Sequence, residues 1–452
     1  MKFLLINPWI YDFAAYDLWI QPIALFKLST LLKSQGHSVD FINCLDRFDK
    51  YYSWQGRDVI YYVPTKYYCG KYHKQQINKP TILDFVPRKY YRYGLPIEIV
   101  EERLKKIKPP DYIFISSIMT YWYPAVKDMI ELVRKYFPNS PIILGGIYSS
   151  IMPRHAKEVC KPDYLFQELS QQGRDVIYYV PTKKTLAENL NIDLCKLNSV
   201  RQDRSLLSNK KVHIMQTSCG CPFNCTYCAS KNISDKFVQR DPEDVVFEMK
   251  ESVLNTGTEN FVFYDDALFV NKDRHIEQIL KKWHQIGLTV NFHTPNGLHC
   301  KYIDKNLAEL IYDANFKTIR LSLETSSPLL QKKSNKICND EFKNAVNILN
   351  QAGFNKKDID VYIMMAMPGQ DEKQLRADIL WAHNLGVRVL LSDYSPIPGT
   401  LDFEELAAQG LVSNDDDPLL HNNTIFAYKL GLDINKIREI RTWTVNLNKS
   451  IK

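Results

Sequence analysis

The sequence predicts an α/β protein: a doubly wound parallel sheet, then a partial barrel of six strand–helix units, then a short helical tail. Three observations carry this. Apolar runs of strand length alternate with helical stretches over the first third of the chain. Six further strand–helix units follow from about Lys211. Helices open on proline or aspartate and close on glycine, the expected terminal asymmetry. A chain of 452 residues is too long for one core. The expected division is an α/β domain over 1–170, a linker over 171–210, the barrel over 211–400 and a helical extension over 401–452.

In the first part KFLLIN (2–7) and SVDFIN (38–43) read as strands around the helix PIALFKLSTLLKSQG (22–36). DYIFISS (111–117), a helix over 124–136 and PIILGG (141–146) continue the alternation, which implies a parallel sheet covered on both faces. Residues 47–95 are rich in tyrosine and lysine and read as an insertion packed over the rim of that sheet. QGRDVIYYVPTK occurs at 55–66 and again at 172–183, but the flanks differ, so this is no solenoid repeat; a recent duplication and a fault in the sequence both stay open as its origin. In the second part strands begin at His213, Asn260, Thr289, Thr318, Asp360 and Val389. Between them, DRHIEQILKKWHQIG keeps Ile276, Ile279, Leu280, Trp283 and Ile286 at helical spacing, with Asp273 as N-cap and Gly287 as C-cap. Around Asp378 the apolar face is Leu375, Ile379, Leu380 and Leu385, closed by Gly386. In barrels of parallel strands, chemistry sits at the C-terminal strand ends.

Composition narrows the classes. Apolar content of 45% with 12% aromatics fits globular domains. A net charge of +7 on 58 basic and 51 acidic residues gives no strong nucleic-acid signal. Asn7 and Asp12 interrupt the N-terminal apolar run, which reads as a buried strand and not a signal peptide, and no stretch is apolar enough to span a membrane. The expected location is cytoplasmic, where clustered cysteines are metal ligands more often than disulfides.

Four of ten cysteines fall in CGCPFNCTYC (219–228), directly after the first barrel strand. Cys221, Cys225 and Cys228 make C-x3-C-x2-C, which can bring three thiolates round one compact centre; thiolates are the ligands of iron–sulfur clusters. Three cysteines on a [4Fe–4S] cluster leave one iron open. Cys219, one residue from Cys221, is read as a bystander. Zinc is the alternative, but no second C-x2-C or H-x3-H pair supplies its fourth ligand. Cys44, Cys69, Cys160, Cys195, Cys300 and Cys338 are scattered and expected to be buried.

CPFNCTYC after a strand and before a six-unit barrel resembles the radical S-adenosylmethionine (SAM) superfamily, a likeness running through much of 211–425. The resemblance implies Cys221, Cys225 and Cys228 as cluster ligands and SAM as cofactor, with Tyr227 among the SAM contacts. YDDALF (264–269) stands where the family places groups for the amino end of SAM, with Asp265 and Asp266 in place of the usual Gly-Gly-Glu. LSLET (321–325) resembles the fourth-strand motif, so Ser322 and Glu324 are expected to face the ribose or methionine part. YIMMAMPGQDE (362–372) and SPIPGT (395–400) resemble the strand ends that support the adenine. The implied chemistry is one-electron cleavage of SAM to methionine and a 5′-deoxyadenosyl radical, which abstracts hydrogen from a small-molecule or peptide substrate. It also implies a reductant protein such as flavodoxin or ferredoxin.

The first domain resembles the cobalamin (B12)-binding, Rossmann-type domain often fused before such barrels, through ISSIMTYWYPAV (115–126), LGGIYSSIMPRHA (144–156) and PDYLF (162–166). It implies a corrinoid over the strand ends, hydrogen-bonded by Ser116, Ser117 and Thr120, with Gly145 and Gly146 admitting its nucleotide tail. The family's Asp-x-His-x-x-Gly motif is absent, so a corrinoid used for methyl transfer and a domain kept for packing or substrate capture both stay open. His293 and Asn296 point to the catalytic mouth as substrate-orienting or proton-donating candidates, against a structural role for the histidine. The reading from another class is a non-catalytic corrinoid or metal carrier with a structural cysteine site.

Overall fold

The computed structural model describes residues 1–51, 67–167, 176–178, 197, 200–234 and 236–451. Two compact units emerge, Met1–Lys210 with Asp417–Leu420, and Lys211–Asp416 with His421–Lys452. The duplicated 55–66 segment and Cys195 lie outside the described residues, as does all of the second copy except 176–178.

The first unit is built on a six-stranded sheet. In chain order its strands are β1 (Lys2–Asn7), β2 (Ser38–Asn43), β3 (Tyr112–Ser117), β4 (Ile142–Gly146), β5 (Tyr164–Gln167) and β6 (Val176–Tyr178). The spatial order is β2-β1-β3-β4-β5-β6, parallel except that β6 runs antiparallel to β5. The stretch read as a linker thus contributes an edge strand. Helices α1 (Ile23–Ser34) and α2 (Tyr123–Tyr136) cross over from β1 to β2 and from β3 to β4. Phe3 and Leu5 of β1 bury their side chains against Leu25, Leu28, Leu31 and Leu32 of α1. The chain leaves β1 toward β2 on one side and reaches β3 on the other, so the direction of winding reverses between β1 and β3. Part of the tyrosine-rich insertion is ordered as an antiparallel sheet: Tyr90–Tyr93 lies between Ile10–Asp12 and Lys74–Ile77.

The second unit carries six parallel strands in chain order: β7 (Val212–Met215), β8 (Asn260–Phe263), β9 (Asn291–His293), β10 (Phe316–Glu324), β11 (Ile359–Met365) and β12 (Arg388–Asp393). The helices between them include α3 (Pro242–Thr256), α4 (Ile276–Ile286), α5 (Lys305–Asp313), α6 (Asn339–Gln351) and α7 (Glu372–Asn384). Among the described residues β7 and β12 do not pair, so the barrel is partial. Alternation along each strand sends Phe261, Phe292, Ile319, Leu321, Val361 and Ile363 outward into the core shared with the helices. The opposite face is polar and carries Asn260, His293, Thr318, Arg320, Asp360 and Tyr362. The tail is helical: α8 (Leu401–Ala408), α9 (Asn423–Lys429) and α10 (Ile434–Ser450).

Three local expectations need correction. The N-cap of α4 is His275, not Asp273; a 3-10 turn over Lys272–Arg274 precedes the helix, and Lys272 takes the Asp273 carboxylate at 2.7 Å. Leu380 is 41% exposed, because the buried stripe of α7 runs through Leu375, Asp378, Ile379 and Ala382. Cys338 is exposed as the N-cap of α6 and Cys69 is half-buried, whereas Cys44, Cys160 and Cys300 are buried.

Candidate functional site

The cysteine loop leaves β7 through a short hairpin, Ser218–Cys219 paired with Val238–Gln239. Gly220 sits in this turn at φ 76°, and a Cβ there would lie 2.2 Å from the Lys236 carbonyl oxygen. Glycine is therefore required between Cys219 and Cys221. Arg240 braces the same turn. Its backbone N–H donates to the Thr217 carbonyl (2.8 Å) and its guanidinium to Gln216 O and to buried Glu248 (2.6 Å).

Cys221 and Cys225 are half-buried and Cys228 is exposed. Burial, together with Asp266, Cys228 and Cys225, pushes the Cys221 thiol up to about 11. Burial also raises Cys225, with Lys336 working against it. Cys225 and Cys228 lie near enough to Cys221 to raise its thiol, and Cys228 near enough to raise that of Cys225. The Cys225 carbonyl accepts from the Cys228 N–H at 3.1 Å, tightening the C-x2-C turn. Cys219 turns away toward the Ser234 hydroxyl (3.8 Å). Among the described residues no three His, Cys, Asp or Glu side chains are grouped to hold a single metal ion. A cubane spreads its cysteines over three different irons and asks for a wider triangle than one ion does.

Glu324 ends β10 with φ 66°, just after a register shift between Ser322 and Glu324. Such a bulge re-aims a side chain. Its carboxylate accepts from Lys336 Nζ at 2.7 Å and from the Tyr227 hydroxyl at 3.4 Å. Burial works against the Lys336 charge, but Glu324 holds its pKa well above the usual lysine value. The Lys336 ammonium also lies 5.6 Å from the centre of the Tyr227 ring. Cys225, Tyr227, Glu324 and Lys336 thus form one cluster.

Asp265 and Asp266 follow β8. Asp266 is exposed on the Cys221 side. Asp265 is buried, and its Oδ1 accepts from Thr217 N (2.9 Å), Thr217 Oγ1 (2.8 Å) and Ser218 Oγ (2.6 Å). Its Oδ2 is buried without a hydrogen-bond partner, and burial lifts the carboxyl to about 6 despite those donors. Asn296 donates to the Tyr264 and Asp265 carbonyls and shapes the same turn. A small cleft here is lined by Phe223, Asp265, Asp266, Thr294, Asn296 and His299.

Two expected residues stand apart. Ser322 is buried beneath the 296–299 loop, its Oγ 1.9 Å from where a Gly297 Cβ would be. His293 is buried between Thr318 Oγ1 (2.9 Å) and Asn260 Oδ1 (3.1 Å), and burial depresses its pKa to about 3. A neutral ring engaged on both nitrogens is built for structure. Lys336 and Thr217 were not legible in the sequence. Lys336 lies in a polar stretch with no periodicity, and nothing short of the fold brings it beside Glu324.

In the first unit the ends of three strands meet where the winding reverses. Asn7 donates to Asn43 Oδ1 (2.8 Å) and accepts from Ser116 Oγ (3.0 Å). Ser117 Oγ donates to the Gly145 carbonyl, and Thr120 is buried. Gly146 has φ 105°, and a Cβ there would lie 2.0 Å from Ser117 O; a Gly145 Cβ would touch Phe166 at 3.5 Å. The close approach that Gly146 allows is to the protein's own chain.

A profile of the Radical SAM superfamily matches residues 215–382, from the end of β7 through most of α7. This stretch is a radical SAM domain. The chain is 23% identical over 288 residues to the anaerobic magnesium-protoporphyrin IX monomethyl ester cyclase of Rubrivivax gelatinosus, covering 56% of this chain and 51% of that one. It is 21% identical over 336 residues to an uncharacterized methyltransferase of Pyrococcus horikoshii, covering 67% and 71%. The chain therefore spans about half the length of the cyclase. In fold it is similar to TsrM of Kitasatospora setae, a radical SAM methyltransferase solved with cobalamin and a [4Fe–4S] cluster. That match has a TM-score of 0.64 at 14% identity and covers 100% of this chain and 89% of that one. The fold class is therefore a doubly wound α/β sheet followed by a partial barrel of parallel strands, as in that structure. The radical SAM domain explains why the cysteine loop and Glu324 sit at the C-terminal ends of one parallel sheet. Among the described residues no helix is long and apolar enough to cross a membrane.

Proposed function

We propose that this protein is a radical SAM enzyme in which Cys221, Cys225 and Cys228 hold a [4Fe–4S] cluster and the second unit binds SAM beside it. The observation that carries this is the gathering of the cysteine loop, Tyr227 and Glu324 at the strand ends of the matched domain. When bound, the cluster supplies one-electron cleavage of the SAM sulfonium, giving methionine and a 5′-deoxyadenosyl radical.

The chain's own groups suit such a ligand. The buried, unpartnered Oδ2 of Asp265 and the exposed carboxylate of Asp266 offer acceptors to the amino group of SAM. The Lys336–Glu324 pair sets one cation and one anion beside Cys225, and Tyr227 gives an aromatic edge. His293 contributes by packing and takes no proton near neutral pH. The electron comes from a protein such as flavodoxin or ferredoxin in the cytoplasm, and the substrate is a small molecule or peptide.

The first unit, with its winding reversal at Asn7, Ser116 and Ser117, is proposed to seat a corrinoid for methyl transfer, with Thr120, Gly145 and Gly146 at its rim; the likeness to TsrM supports this. The test is anaerobic reconstitution with SAM, with and without hydroxocobalamin. 5′-Deoxyadenosine is expected in both arms, and S-adenosylhomocysteine only with hydroxocobalamin. Cys225→Ala is expected to make neither. 5′-Deoxyadenosine from Cys225→Ala would overturn the ligand assignment.

A further inference from the structure

Asp378, on the inner face of α7, is fully buried. Five donors converge on it. Ser326 N and Ser326 Oγ reach Oδ1 at 2.7 Å each, and Gln374 Nε2 reaches it at 2.8 Å. Thr325 Oγ1 and Gln370 Nε2 reach Oδ2 at 3.0 Å each. Thr325 and Ser326 directly follow Glu324 at the end of β10, while Gln370 belongs to the MPGQ turn after β11. Gln370 in turn holds that turn closed, donating to the Met364 carbonyl (3.0 Å) and accepting from the Met367 N–H (3.4 Å).

The two strand ends so joined are the ones under backbone strain. Glu324 has φ 66° and Ala366 φ 65°, a region that non-glycine residues adopt only when their surroundings force it. A carboxylate is an acceptor-only group and can take all five donors, whereas an amide would turn an N–H toward at least two of them. Burying a charge for packing alone is unfavourable.

We propose that Asp378 is a positioning residue for SAM: it locks the β10 and β11 loops together so that Glu324 and the MPGQ turn present one pre-formed cradle to the nucleoside. It touches neither SAM nor the cluster, and it acts through Thr325, Ser326 and Gln370. The assignment rests on the radical SAM reading of the site.

The test uses the full-length, cluster-loaded protein and SAM itself. Asp378→Asn is expected to weaken SAM binding by equilibrium dialysis about tenfold, the scale of losing one hydrogen bond to a charged group, with turnover at saturating SAM largely kept. Without SAM, its Ser326 amide is expected to exchange hydrogen faster than in the wild type. Gln374→Ala, at the half-exposed end of the network, is expected to move SAM affinity the same way by less, and stands in should Asp378→Asn not fold. Wild-type SAM affinity in folded Asp378→Asn, or lowered thermal stability with unchanged affinity, overturns the proposal and leaves the enzyme reading intact. Loaded wild-type protein that binds no SAM overturns both.

Discussion

Replacing Lys336 by methionine strands the Glu324 carboxylate. The pair is 2.7 Å apart, with side chains only 13% and 8% exposed. At that separation and an effective dielectric near 20, the gross attraction is about 6 kcal/mol. Desolvation of both groups offsets much of it, so removing one partner is expected to cost about 3–5 kcal/mol while removing both costs far less. Tyr227 adds only a long bond to Glu324 and cannot replace the ammonium. The measurement is a double-mutant cycle, Lys336→Met, Glu324→Met and the double variant, by urea unfolding followed on Trp283, Trp381 and Trp443 of the second unit. A coupling of about 2 kcal/mol or more is expected, with the double variant more stable than either single one. Additive effects would refute the claim that these residues form a buried pair.

Glu248 offers a test in acid. Burial opposes its charge, but His213 and Arg240 overcome this and hold its carboxyl at about 2, below the ordinary 4.5. Its stabilisation is therefore complete above pH 4.5 and lost as pH falls through 2, about 3 kcal/mol in all. Glu248→Gln is expected to be weaker than wild type by that order at pH 7, the two converging toward pH 2 in acid-unfolding curves. His293→Asn is expected to lower stability by about 1–3 kcal/mol through its lost hydrogen bonds, yet leave the pH profile of SAM cleavage between about 5 and 8 unmoved, because the ring is already neutral there; a lost limb in that profile would make it a proton donor. Cys219→Ala is expected to retain full iron content on reconstitution, since its thiol faces Ser234. Iron loss there would make Cys219 a ligand.

The two layered folds were legible because their signals are local. Each barrel strand is an apolar run bounded by polar turns, and Gly287 and Gly386 close their helices at φ 73° and 83°. The cysteine spacing gave the loop, and a charge inside the apolar run LSLET marked Glu324. What stayed hidden needs tertiary contact. Asp378 lies in a helical apolar pattern that assigns it no role, and only the fold shows five donors reaching it. Lys336 follows Glu324 by twelve residues with no pattern between them. Ser322 shares the inward face of β10 with Glu324, but the returning 296–299 loop covers it, which strand alternation cannot foresee. Gly145 and Gly146 read as ligand-facing glycines; at Gly146 the missing side chain makes room for the Ser117 backbone.

The central claim is that three cysteines of one loop hold a [4Fe–4S] cluster open to SAM. Electron paramagnetic resonance of the anaerobically reconstituted, dithionite-reduced protein tests it most directly. A reduced [4Fe–4S] signal that shifts when SAM is added is the predicted result. No cluster signal, with one zinc per chain in place of iron, would contradict it.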